Sequence, residues 1–335
     1  MSTTYALLVT LCLCCALGAL ATQAPALTPI IAPFAGDRAG ALSFTFDDGS
    51  QKQVDVAVPM LNAAGIKATF FVISMITRDK KSDPMLKGSD PGGHGAVSWE
   101  EWRAVAAMGH EIGNHSAHHV GLPRVTDPDV FDVEINGSRK LMTEKMGAAP
   151  LTFCYAGNGW TPAIREMVLR HHIADRINCV GYGGKDFTLE RANAVVDKAI
   201  AEKSWLVPMI HGIDEAYAPL DHDILQGHLN YVVAKRDVLW VDTFANVARY
   251  RQEREKAVLT VHEHGTRWLT FPLTCPLDPA IYQMPLTVVL PLGEAKITRV
   301  RATRNEGQKL PATIAPGKLL VDVVPGAGEI TVRWK

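Results

Sequence analysis

The sequence predicts an α/β barrel followed by a small all-β sandwich, and three observations carry that prediction. Between about residues 39 and 256, apolar runs of strand length alternate with segments of helical spacing, the pattern of a parallel sheet wrapped by helices. Several of those runs end in clusters of Asp, His or Gly, as loops at the C-terminal ends of barrel strands do. After about residue 257 the helical spacing stops, and short alternating runs separated by Pro and Gly replace it.

The chain begins with an uncharged apolar run from Tyr5 to Ala21 that closes on Ala19-Leu20-Ala21, a small-x-small pattern. Residues 1–21 therefore read as an export signal, which would place the mature protein in the periplasm or outside the cell. No Lys or Arg precedes the run, so a retained anchor is the competing reading. The run is short for a membrane span, which needs about 20 apolar residues, and no stable span is expected once it is removed. Residues 22–38, with Pro25, Pro29 and Pro33, read as a linker or arm.

The barrel region opens with a buried strand, Ala41 to Phe46, that runs into the turn-forming Asp47-Asp48-Gly49-Ser50. Val54 to Ala64 has helical spacing and stops at Gly65, and Lys67 to Ile73 is the second strand. A Gly/Asp/Pro-rich loop spans residues 80–96. Helix Ser98 to Met108 follows, with Ser98 and Glu101 placed for a capping box. The alternation continues through a strand ending in Glu111-Ile112-Gly113-Asn114, a helix from Asp127 to Met146, and a strand from Leu151 to Tyr155. Helix Thr161 to His171, a strand around Ile177 to Val180, helix Leu189 to Glu202 and strand Trp205 to Ile210 come next. Helix Asp221 to Ala234, strand Leu239 to Val241 and helix Thr243 to Glu255 complete the region at 256. From 257 to 335, the runs at Leu269–Pro272, Leu286–Leu290, Ile297–Val300, Leu319–Val323 and Ile330–Arg333 read as strands of the sandwich, whose simplest role is to brace the barrel.

Charge and cysteine usage narrow the function classes. A net charge of -1, with no basic run, gives no electrostatic footprint for nucleic acid, and no such partner is expected. Of six cysteines, three lie in the leader. Cys154 and Cys179, near predicted strand ends, could pair, but with Cys275 they read more simply as three free thiols. Nothing in the sequence bears on oligomeric state.

Three segments carry chemistry. Asp47 and Asp48 are adjacent carboxylates at a strand end: either a common turn, or a pair in which one holds a cation and the other stays free as a base. His115 and His119 stand four apart in His115-Ser116-Ala117-His118-His119, so a helical turn would aim both imidazoles at one cation, with His118 turned aside. His211 directly follows a buried strand, where it would be placed as an acid beside the other two strand ends.

Taken in order, TFDDGS, HSAHH and MIHGI resemble the motifs of the NodB-homology polysaccharide deacetylases, carbohydrate esterase family 4, over about Ala41 to Glu255. The resemblance implies a distorted (β/α) barrel with fewer than eight complete repeats. It implies one divalent metal held by Asp48, His115 and His119, with Zn2+ the first choice and Co2+, Ni2+ or Fe2+ compatible with the same donors. Asp47 would be the general base and His211 the general acid, acting on N- or O-linked acetyl groups of a carbohydrate such as a chitin-like or peptidoglycan-like glycan or acetylated xylan. A departure stands at Phe153-Cys154-Tyr155-Ala156-Gly157-Asn158-Gly159-Trp160, where an Arg-Pro-Pro-Tyr-Gly segment would be usual. Arg176 is the replacement guanidinium, unless it is a surface residue at a helix–strand junction. Tyr155 either donates to the developing oxyanion or packs, and Gly157 lets the backbone approach substrate closely. Among the aromatics that could stack on sugar (Trp99, Trp102, Trp160 and Tyr182), Trp102 has core spacing and Trp160 is the preferred contact. Asp214 and Asp221 read as a loop charge and a helix cap. The competing readings are hydrolysis of a non-carbohydrate C–N bond and a glycan-binding protein with an idle site.

Overall fold

The computed structural model describes residues 28–83, 97–305 and 307–335. The expected export signal, the first part of the expected arm and most of the 80–96 loop lie outside the described residues.

The parallel strands curl into an open, distorted barrel wrapped by helices. Its main sheet has seven strands in the spatial order Ala174–Arg176, Thr152–Cys154, Glu111–Asn114, Thr69–Val72, Thr45–Phe46, Pro208–Ile210, Val180–Tyr182. Gly40–Leu42 pairs with Leu239–Val241 on one side and Trp205–Leu206 on the other, closing the bottom of the barrel with a three-stranded patch. The first strand is thus broken between Leu42 and Thr45, and it changes one neighbour across the break. The same happens at Val207. The barrel is open between Ala174–Arg176 and Val180–Tyr182, which do not pair. One strand was expected near Ile177–Val180. Two short ones flank that segment instead, and Arg176 sits on the first of them rather than at a helix–strand junction.

The helices follow their sequence signals closely. Ser98 accepts from the Glu101 amide and Glu101 returns a bond to the Ser98 amide, completing the capping box of Trp99–Ala107. Asp221 caps His222–Ala234 by accepting from Asp223 and Ile224. Two helices carry a wider π turn that apolar spacing alone does not reveal: Gln53–Ala57 ahead of Val58–Ala63, and Val133–Gly137 between Pro128–Asp132 and Ser138–Met146. Both lie beside the functional site, and each turns one polar residue, Gln53 or Glu134, into the interior.

The barrel core is aromatic toward its mouth: Phe46 stacks on Phe70 at 4.9 Å, and Trp102 lies 5.4 Å from Phe70. Trp99, Trp102 and Tyr182 are all buried, so none can stack on a sugar. Trp102 instead packs under the acidic turn, where a Cβ on Gly49 would come within 3.2 Å of its ring.

After residue 257 the chain forms two antiparallel sheets, one built on Trp268–Thr274, Val300–Arg304 and Gly326–Trp334, the other on Leu286–Pro291 and Lys318–Val323. The strand expected at Ile297–Val300 begins only at Val300. The arm is more than a linker, since Ile30–Ile31 pairs with Val288–Val289 as an edge strand of the second sheet. Phe34, Trp240, Val247 and Tyr250 share one buried cluster with Phe271, Leu286 and Val332, so the β region packs directly on the barrel. Among the described residues, no helix is long and apolar enough to cross a membrane.

Candidate metal centre and active site

The strand Thr45–Phe46 ends in the acidic turn. Asp48 and Gly49 both adopt left-handed backbone (φ 72° and 84°), which swings the two neighbouring carboxylates to different partners. Asp47 turns into the barrel. Arg176 donates to it through both terminal nitrogens, Nη1 to Oδ1 at 2.7 Å and Nη2 to Oδ2 at 2.5 Å, and also to Thr45 Oγ1 at 2.7 Å. Both members of this fork are buried, and the guanidinium lies over the Phe71 ring. Burial pushes the Asp47 carboxyl up. The charges of Arg176, His115 and His211 and the Arg176 hydrogen bonds outweigh it, and Asp47 stays ionised, below the ordinary carboxylate range.

Asp48 faces the other way. Its Oδ1 is buried without a hydrogen bond of good geometry, 3.3 Å from His115 Nε2 and 3.4 Å from His119 Nε2. His115 Nδ1 donates to the Cys154 carbonyl at 3.0 Å, which fixes Nε2 as the atom facing Asp48. The two imidazoles meet edge to face at 4.8 Å, although not on a helical turn: Ser116 and His119 are left-handed (φ 68° and 60°), and the chain doubles back after its strand. This turn is built by residues that carry no motif in the sequence. Asn114 Oδ1 accepts from the Ser116 amide and Ser138, while buried Glu134 accepts from the Ala117 and His118 amides and from His118 Nδ1. His118 is thereby turned outward.

Two groups of donor atoms lie within 4.8 Å of one another: Asp48, His115 and His119, and Asp47, His115 and Cys154. The second fits a metal poorly. Its carboxylate is already taken by Arg176, and burial pushes the Cys154 thiol pKa up, so it stays protonated and donates toward Asp47 Oδ2 at 3.7 Å. The first fits well. Two nitrogens aimed at one carboxylate are placed to share a cation. One proton would serve only His115, which burial pushes down but its bond to Asp48 helps hold well above the usual value; His119 is pushed down by burial and by His115. A divalent cation would satisfy all three donors at once.

His211 stands at the end of Pro208–Ile210 with Nε2 4.0 Å from Asp47 Oδ2. The Gln53 side-chain amide donates at 2.6 Å to both the Asp47 and the His211 carbonyls, tying the two strand ends together. These groups floor a cavity of about 410 Å³ lined also by Tyr155, Gly157, Asn158, Met209 and Tyr217. Gly157 is left-handed (φ 62°) and faces open space, as a close backbone approach requires. Of the two readings open for Tyr155, packing fits its side chain: the hydroxyl donates to Asp175 at 2.7 Å inside the core. One expectation needs correction. Trp160, 38% exposed, does not line the cavity. Cys154, Cys179 and Cys275 are free; Cys154 and Cys179 do not pair. Asp214 is a loop charge, bonded to His222 and 3.9 Å from Lys52.

Comparison with known proteins bears on the family and the fold. Residues 36–174 match the family profile for polysaccharide deacetylases. A gellan lyase from Bacillus sp is 27% identical over 343 residues, a match that covers 90% of this chain and 13% of that protein, so the chain spans only about an eighth of that relative's length. A Mycobacterium smegmatis structure described as a polysaccharide deacetylase is 16% identical, covers 71% of this chain and 99% of its own, and superposes with a TM-score of 0.51, which shows the shared fold. Residues 36–174, the first part of the barrel, thus show homology to polysaccharide deacetylases, and the barrel carries a cluster able to hold a divalent metal.

Proposed function

We propose that the protein hydrolyses acetyl groups, N- or O-linked, from a carbohydrate, with Asp48, His115 and His119 holding the metal. The observation that carries this reading is the division of labour between two adjacent carboxylates: Asp47 is clamped and ionised by Arg176, and Asp48 faces two imidazoles. When bound there, a divalent cation, Zn2+ first among Co2+, Ni2+ and Fe2+, supplies Lewis-acid polarisation of a carbonyl and acidifies water.

The residues of the chain supply the rest. Asp47 accepts the proton of the water that adds to the acetyl carbonyl, and Arg176 keeps its carboxylate oriented and ionised beforehand. His211, across the cavity, gives its proton to the departing sugar nitrogen or oxygen as the C–N or C–O bond breaks, and acetate leaves. With the Tyr155 phenol committed to Asp175, its contribution to the developing oxyanion comes from the main-chain amide. Gly157 lets the sugar approach the backbone. The apolar N-terminal run supports export of the protein to the periplasm or medium.

The test is acetate release from acetylated xylan and chitin oligomers, with and without chelator. Chelator-sensitive release is expected, together with a loss of roughly 100- to 10,000-fold in turnover for Asp47→Asn with its metal retained. Release that is indifferent to both chelator and Asp47→Asn would defeat the reading. Cleavage of a non-carbohydrate amide with no release from any glycan would favour the amidohydrolase alternative.

A further inference from the structure

We propose that Tyr217 is the sugar-binding wall of the cleft, stacking on the apolar C–H face of the unit that bears the acetyl group. This rests on the deacetylase reading and names a contact that its motifs do not supply.

Tyr217 is the most exposed large hydrophobic side chain among the described residues, at 69%, and its ring contributes nothing to the core. It nevertheless stands at the cavity over Asp47, Asp48, His115 and His119, perpendicular to the His211 ring with centroids 5.0 Å apart. Among the described residues, none holds its hydroxyl by a hydrogen bond.

The loop that presents it is built at a conformational cost. Asp214, Ala216 and Ala218 all have left-handed backbone (φ 60°, 72° and 44°), a region that an alanine enters only under constraint. Two glycines make room for it. A Cβ on Gly212 would collide with the Glu215 carbonyl oxygen, and one on Gly183 with that of Ala218. The loop base is tied by Asp214 N to Leu220 O at 3.0 Å and Leu220 N to Gly212 O at 2.9 Å, and Lys52 holds Glu215 at 3.3 Å. A segment wound this tightly is not slack chain; its one product is an aromatic ring held at the cavity mouth.

The chemistry of the walls selects the ligand. A pyranose has an apolar C–H face and a polar hydroxyl rim. Tyr217 and Met209 provide apolar surface beside the floor of charged groups, while Asn158 and the Gly157 backbone offer polar contacts. A sugar placed against Tyr217 with its rim toward Asn158 lies beside His211, the group proposed to protonate its nitrogen or oxygen.

The test uses partially acetylated xylo- and chito-oligosaccharides with the wild type, Tyr217→Ala, Tyr217→Phe and Tyr217→Trp. Tyr217→Ala is expected to raise KM roughly five- to tenfold with little change in kcat, while the Phe and Trp variants restore KM. Binding of the deacetylated oligosaccharides, followed by calorimetry, should weaken by the same factor in Tyr217→Ala. A fall in kcat or a displaced pH profile at unchanged KM would overturn stacking in favour of a purely structural prop for His211. Acetate release by the wild type with equal KM in all four proteins would overturn the inference and leave the proposed function standing. Tyr217-dependent oligosaccharide binding without acetate release from any glycan would uphold the inference and remove the function.

Discussion

Seven of the ten described non-glycine residues with left-handed backbone surround the open end of the barrel (Asp48, Ser116, His119, Asn158, Asp214, Ala216 and Ala218), whereas the C-terminal β region has one, Asn305. Buried charge divides the same way. Asp47, His115 and Arg176 are almost wholly enclosed at the barrel mouth, and the buried polar residues described after 257 are Thr287 and Thr303. In the β region local preference and fold mostly agree: Trp268–Thr274 and Lys318–Val323 alternate regularly, with Phe271, Leu319 and Val321 inside. The barrel mouth violates those preferences repeatedly and keeps the violations in one place. Residues that cost stability and give no packing are concentrated where chemistry is proposed, which is the expected signature of a site rather than of a scaffold.

Four substitutions or conditions sharpen that contrast. The largest effect is expected for Arg176→Met, which leaves the Asp47 carboxylate buried and unpaired. Denaturant melts should show a loss of about 3–5 kcal/mol, accompanied by a collapse of turnover. Unchanged stability would mean that the fork contributes nothing to holding the base. Phe271→Ala in the β region should lose a comparable amount, about 3–5 kcal/mol, because it empties a fully buried position in the cluster shared with the barrel. Activity per folded molecule should stay at the wild-type value, and a selective loss of turnover would show that the β region acts on the site.

Acid should weaken the barrel rather than the β region. Burial lowers His110, His172 and His228 to about 4, and their bonds agree with neutral rings; His110 Nδ1, for example, accepts from the Ala68 amide. Above about pH 6.5 both folded and unfolded chains carry these rings neutral. As pH falls below that value the unfolded chain takes up protons that the native rings refuse, so stability declines until about pH 4, where the native rings protonate too. Replacing His228 with Gln should flatten the decline of melting temperature between pH 6.5 and 4, and an unaltered slope would contradict the neutral assignment. The smallest effect is expected for Trp160→Ala. Because Trp160 lies off the cavity, KM should change by less than about twofold and stability by less than about 0.5 kcal/mol.

Much of the fold and of the site was legible in the sequence because it is local. Alternating apolar runs placed the strands, and Ser98, Asp221 and the other caps placed the helix starts. The Asp47-Asp48 turn, the His115/His119 pair and His211 announced themselves at strand ends. What was hidden depends on the chain returning from a distance. Arg176 is 129 residues from Asp47 in sequence, and its own surroundings, Ala174-Asp175, suggest only a strand edge; it became a candidate solely through the family resemblance. Glu134 and Gln53 reach the site because π turns rotate them inward, which a 3.6-residue periodicity does not register. His115 and His119 converge through left-handed Ser116 rather than through a helix, so the spacing was informative for a reason other than the one it suggested. The Ile30–Ile31 strand was obscured by flanking prolines, and Tyr217 by a loop whose glycines are explained only by the fold.

Metal titration of four proteins, followed by calorimetry and elemental analysis, tests the central assignment most directly: wild type, Asp47→Asn, Asp48→Asn and Cys154→Ser. One equivalent is expected in the wild type, in Asp47→Asn and in Cys154→Ser, with binding lost in Asp48→Asn. If Asp48→Asn kept its metal while Asp47→Asn or Cys154→Ser lost it, the cation would belong to the other donor cluster, and the roles of the two neighbouring carboxylates would be reversed.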